Sequence, residues 1–109
     1  MTVFVDLPAV RPGRLADDLV ATDLHDEVRE LRPHLRGAQA EALPDGIRLI
    51  LRLDVRALAR LAELVRGEAN ERPFWSFRLL AEPPEVWLEV TGAGRAADIA
   101  RAVFGALGA

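Results

Sequence analysis

Few residues in this 109-residue chain can do chemistry. It has no cysteine, lysine or tyrosine, one serine (Ser76), and two histidines (His25 and His34), and all 14 basic residues are arginine. Thiolate nucleophiles, Schiff-base lysines and tyrosine acids are therefore outside its repertoire, as are disulfides and cysteine metal sites. His25 and His34 lie nine residues apart, which on a regular helix turns the direction by about 180°, so their rings diverge. No H-x-x-x-H or H-E-x-x-H spacing is present, and no metal site is expected. Ser76 has Arg78 where a nucleophile elbow requires glycine. The carboxylate pairs Asp17 and Asp18, Asp26 and Glu27, and Glu68 and Glu71 could supply an acid and a base. Their positions at helix starts and in a loop already explain them electrostatically. On this reading the chain has no catalytic residue and no cofactor, and it is not an enzyme.

Two features remain as candidate binding sites. Gly92-Ala93-Gly94-Arg95-Ala96-Ala97 spells the beginning of a dinucleotide fingerprint between a strand and a helix. No strand follows that helix and no acidic residue can lie ~20 positions further on, so the dinucleotide reading fails. What survives is a small-anion site made of Gly92, Gly94 and Arg95, where backbone N–H groups open a helix. The second feature is one face of a sheet, which has to be built from the elements that present it.

Phe74–Ala81 and Val86–Thr91 flank Glu82-Pro83-Pro84-Glu85 and read as a hairpin. Setting Ala81 opposite Val86 places Leu79 against Leu88 and Phe77 against Val90 on one wholly apolar side. The other side then holds the pairs Leu80 with Trp87, Arg78 with Glu89, and Ser76 with Thr91, which are favourable cross-strand partners. A slip of one residue would mix the two sets. Ile47–Leu53 alternates in the same way, with Ile47, Leu49, Leu51 and Leu53 against Arg48, Ile50 and Arg52. Thr2–Leu7 adds a short strand that contributes Phe4. Helices are expected over Arg14–Leu35, with a break near Asp23 and an end at Pro33; over Val55–Arg66, capped by Asp54 and stopped by Gly67; and over Arg95–Leu107. The last helix is expected to bury Ala96, Ile99, Val103, Ala106 and Leu107. Gly37–Gly46 and Glu68–Arg72 read as loops.

The element order is thus β-α-β-α-β-β-α. It predicts one α+β domain over residues 1–109, with a four-stranded, mainly antiparallel sheet and helices on one face. A permuted ferredoxin-like arrangement, completed by the N-terminal strand, fits this order. Element order and mild acidity also resemble those of small dimeric secretion chaperones and immunity proteins, at the level of fold alone. The outer sheet face would carry Phe4, Arg48, Ile50, Arg52, Arg78, Leu80, Trp87 and Glu89, with Phe74, Ser76 and Thr91 beside them. Aromatic, aliphatic and arginine side chains together are the composition of a binding surface.

Half of the residues are apolar, 28% are charged, and the net charge is −3. That composition predicts a folded globule and argues against nucleic acid, because there is no excess of positive charge to neutralise phosphates. With no apolar run of ~20 residues and no basic leader, a cytoplasmic protein without membrane contact is expected. The expected function is a non-catalytic interaction or accessory domain, a homodimer or the binder of a protein partner. The alternative is a sensor of small anionic ligands at the Gly92–Arg95 turn.

Overall fold

The computed structural model describes residues 2–10 and 29–109. Five strands form one antiparallel sheet in the order β1-β4-β5-β3-β2. They are β1 (Val3–Leu7), β2 (Gln39–Leu43), β3 (Gly46–Arg52), β4 (Ser76–Glu82) and β5 (Glu85–Thr91). A 3-10 turn (Arg29–Leu31) runs into the short helix α1 (Arg32–Leu35); α2 spans Val55–Glu71 and α3 spans Arg95–Gly108. No helix among the described residues is long and apolar enough to cross a membrane.

The hairpin pairs as the side-chain pattern requires. Ala81 faces Val86, Leu79 faces Leu88, Phe77 faces Val90, Leu80 faces Trp87, Arg78 faces Glu89, and Ser76 faces Thr91. On β3, Ile47, Leu49 and Leu51 turn to the buried side. There they meet Phe77, Leu79, Val86, Leu88 and Val90 of the hairpin, together with Leu58, Leu61 and Val65 of α2 and Ile99, Val103, Phe104 and Leu107 of α3. Leu31 and Leu35 close one end of this core. Trp75, Phe77 and Phe104 stack edge-on at its centre, with ring centroids 5.3–6.2 Å apart, the geometry that ring quadrupoles favour. The indole Nε1–H of Trp75 donates to the carbonyl of Ala96 at 2.9 Å, which satisfies its only polar atom and ties β4 to α3.

The sheet has five strands where four were expected, because Gln39–Leu43 is a strand and not a loop. Its burial does not alternate, because Gln39 to Ala42 are all exposed on this edge strand, and its only pattern is polar Gln39 and Glu41 against small Ala40 and Ala42. Pairing with β3 and a clamp on the connecting turn hold it in place. Arg101 of α3 donates to the carbonyls of Leu43 (2.7 Å), Pro44 (2.8 Å) and Gly46 (3.1 Å), and the N–H of Gly92 donates to the carbonyl of Asp45.

Asp54 caps α2 by accepting from the N–H of Ala57 at 2.8 Å. Gly67, expected to end that helix, lies inside it, and the helix runs on to Glu71. The buried stripe Leu58, Leu61, Val65 continues one turn further through Glu68, a polar residue at an apolar position. Pro33 does not end α1 but sits in its first turn, where the missing N–H costs nothing. On α3, Ala106 is exposed, whereas Ala100 and Phe104 are buried. The expected helix over residues 14–28, with Asp23, His25 and the carboxylates 17, 18, 26 and 27, lies outside the described residues.

From β3 onward the chain forms a β-α-β-β-α unit in which β5 sits between β3 and β4. The N-terminal strand does not join this unit beside β3. It pairs with β4 at the far edge, and β2 occupies the place next to β3.

Candidate interaction face

The helices cover one side of the sheet. On the other side the register assembles two rows that cross all five strands. The first runs Phe4, Leu80, Trp87, Ile50 and Gln39; the second runs Asp6, Arg78, Glu89, Arg48 and Glu41. The first row is apolar except at its β2 end. In the second, the sign of the charge alternates at every step from edge to edge.

Hydrogen bonds join the Glu89, Arg48 and Glu41 part of the charged row. Arg48 donates through Nε to Glu89 Oε2 at 2.9 Å and through Nη1 to Glu41 Oε1 at 3.1 Å. Its Nη2 lies 2.7 Å from the same Glu89 oxygen. Arg78 approaches Glu89 Oε1 at 3.8 Å. The hydrogen bond to Glu89 and the two neighbouring carboxylates push the already high pKa of Arg48 up further. Each arginine also leans on the apolar row, Arg48 over the Trp87 ring at 4.6 Å and Arg78 over the Phe4 ring at 5.5 Å, both cation–π distances.

All eight expected face residues therefore lie on this side of the sheet: Phe4, Ile50, Leu80 and Trp87 in the apolar row, Arg48, Arg78 and Glu89 in the charged row, and Arg52 next to Glu85 at the hairpin end. Phe4 is 55% exposed and Leu80 is 42% exposed, two of the few large apolar side chains in this position. A shallow depression of about 300 Å³ opens between Leu80, Trp87, Glu82, Glu85 and Thr2. The indole Nε1–H of Trp87 donates to Glu85 Oε1 at 3.1 Å and so fixes that ring at its rim. Phe74 does not belong to the face. It precedes β4 and packs edge-on against Trp75 in the core, with centroids 5.0 Å apart. Ser76, opposite Thr91, accepts from the N–H of Ala9 at 2.8 Å.

Asp6 and Glu41 complete the charged row and were not legible as members of it. Glu41 requires the strand β2, and Asp6 requires β1 to pair with β4. Alternation along Thr2–Leu7 does place Phe4 and Asp6 on one side, which was the available signal.

At the glycine turn, Gly94 has φ +53° and precedes α3. A side chain at Gly92 would stand 2.7 Å from the Cβ of Ala96 and 3.3 Å from the carbonyl of Phe74. The N–H groups of Ala96 and Ala97 donate to the carbonyls of Ala93 and Gly94, within the turn itself. Close packing and turn geometry account for the glycines.

Glu68 and Glu71, expected in a loop, sit on the last turn of α2. Glu68 is buried, and one of its oxygens, Oε2, accepts no hydrogen bond among the described residues. Burial pushes its pKa up to about 7. Arg72 pulls it down, while Glu71 and Glu30 reinforce the rise. Among the described residues no three histidine, aspartate or glutamate side chains gather as a metal site. No protein-family model matches this chain, and no curated protein or solved structure matches it.

Proposed function

We propose that this chain is a non-catalytic interaction domain that binds a protein surface through the outer face of its sheet. One observation supports the reading above the others: an apolar row, exposed at Phe4 and Leu80, bordered by a row of alternating charge, with the two arginines laid over the aromatic rings. An apolar centre with an ordered polar border is the anatomy of an interface, and Trp and Arg are its commonest energetic anchors. The rings are already stiffened by the arginine contacts, so little side-chain entropy is lost on docking. The strand order further supports a permuted ferredoxin-like frame that β2, not β1, completes, with β1 as a fifth strand beyond β4.

The test is a photo-crosslinking residue at position 80, with position 60 on the exposed side of α2 as the control. The expected result is a discrete adduct, to a second copy or to another protein, from position 80 only. Adduct formation no stronger at 80 than at 60 refutes the proposal.

A further inference from the structure

We infer that the partner on this face is a second copy of the chain, related to the first by a two-fold axis that runs along the strands between β5 and β3. The inference rests on the interaction reading above and goes further by naming the occupant. It comes from the symmetry of the charged row. A two-fold interface places the same patch against itself, so the patch must be self-complementary. Rotation about an axis parallel to the strands keeps each residue at its height and exchanges strands across the axis. An alternating row then meets opposite charge when the axis falls between two strands, and like charge when it falls on one. On β5, for example, Glu89 would meet itself and Arg78 would meet Arg48.

The hairpin end of the face decides between the gaps. An axis between β4 and β5 would oppose Glu82 to Glu85, two like charges already paired across the turn. An axis between β5 and β3 sets Glu85 against Arg52, Glu89 against Arg48, and Arg78 against Glu41. In the apolar row it sets Trp87 against Ile50. Every charged pair is then opposite in sign, Trp87 meets Ile50 at the centre and Leu80 meets Gln39 beside it, while β1 with Phe4 and Asp6 lies outside the overlap. Axes nearer an edge overlap too few strands. The strands of the two sheets run in the same direction in this arrangement, which is aligned sheet-on-sheet packing. The two faces overlap over four strands, β1 lying outside, and four strands spaced ~4.8 Å apart with residues rising ~3.3 Å give about 400 Å² in projection. That lies below the ~600 Å² per partner at the low end of stable interfaces, in the range of a weak, concentration-dependent dimer. The desolvation cost is limited, because Arg48 and Glu89 are already largely shielded (22% and 17% exposed) while Arg78 and Glu41 remain half-exposed at the flanks.

Arg78 and Glu41 supply the test, since within one chain they stand three strands apart and do not touch. The wild-type chain, followed by sedimentation velocity from about 1 μM to about 500 μM, is expected to pass from the chain mass to twice that mass. R78E and E41R should each raise the dimer dissociation constant about tenfold or more, because each opposes like charges twice per dimer. An equimolar mixture of the two variants should recover the wild-type constant to within about threefold. In the mixed dimer the two introduced charges face each other and the native Arg78–Glu41 pair forms on the other side. Circular dichroism confirms that each variant is folded. A wild-type mass that stays at one chain throughout overturns the inference, as does a dimer indifferent to both variants and their mixture. A monomer whose position 80 crosslinks to a different protein overturns the second copy alone and leaves the interaction reading standing. A monomer with no crosslink ends both.

Discussion

Replacing Glu68 with Gln should change how stability depends on pH. The Glu68 carboxyl is buried at the end of α2, and its pKa is pushed up to about 7, chiefly by loss of water. In the unfolded chain it returns to an ordinary value near 4.5. Because the folded pKa is the higher, the native state binds the proton more tightly than the unfolded state. The resulting stability is complete below pH ~4.5 and is lost as pH rises through ~7. That rise corresponds to ~3 kcal/mol as an upper figure, and relaxation around Arg72 makes ~2 kcal/mol a realistic expectation. Glutamine mimics the protonated acid and does not titrate. Urea unfolding of both chains at pH 4.5 and pH 8 isolates the group. The two should be equally stable at the lower pH, and Glu68→Gln should be the more stable by ~2 kcal/mol at the higher. If the difference between wild type and variant does not move with pH, the argument that burial dominates over Arg72 is wrong.

Two further substitutions probe how the face is held. Gly46→Ala places a methyl group against the carbonyl of Val90 and 2.8 Å from the Cα of Thr91, both backbone. It should cost ~3 kcal/mol or more in chemical denaturation, because main-chain atoms of a central strand cannot step aside. Arg101→Ala removes three hydrogen bonds to carbonyls of the β2–β3 turn. A loss of ~2 kcal/mol is expected, with faster amide exchange concentrated in β2; uniform exchange across the sheet would show that the clamp is not what holds that strand.

Legibility in the sequence followed the range of the interactions. The β4–β5 register was readable because a one-residue slip would set Phe77, Leu79 and Ala81 on the opposite side from Val86, Leu88 and Val90, and the short turn between adjacent strands leaves no room for a longer one. The buried side of β3 was readable because alternation is a property of the backbone pleat. The Asp54 cap rests on a contact three residues away. By contrast, Gln39–Leu43 carries only a weak alternation of Gln39 and Glu41 with two alanines, and its place in the sheet comes from the edge that β3 offers and from Arg101 reaching across from α3. Glu68 read as loop because a glycine precedes it and its charge hides an apolar helix position.

The residue inventory excluded most covalent chemistry by itself, and alternation alone placed Phe4, Arg48, Ile50, Arg78, Leu80, Trp87 and Glu89 on one side of their strands. Tertiary structure decided how those strands line up. Only with β1 beside β4 and β2 beside β3 do Asp6 and Glu41 extend Arg78, Glu89 and Arg48 into a row that alternates from edge to edge. The reason is physical: the pleat sets which way a side chain points within two residues, whereas strand order is settled by which edges find partners once the core has closed.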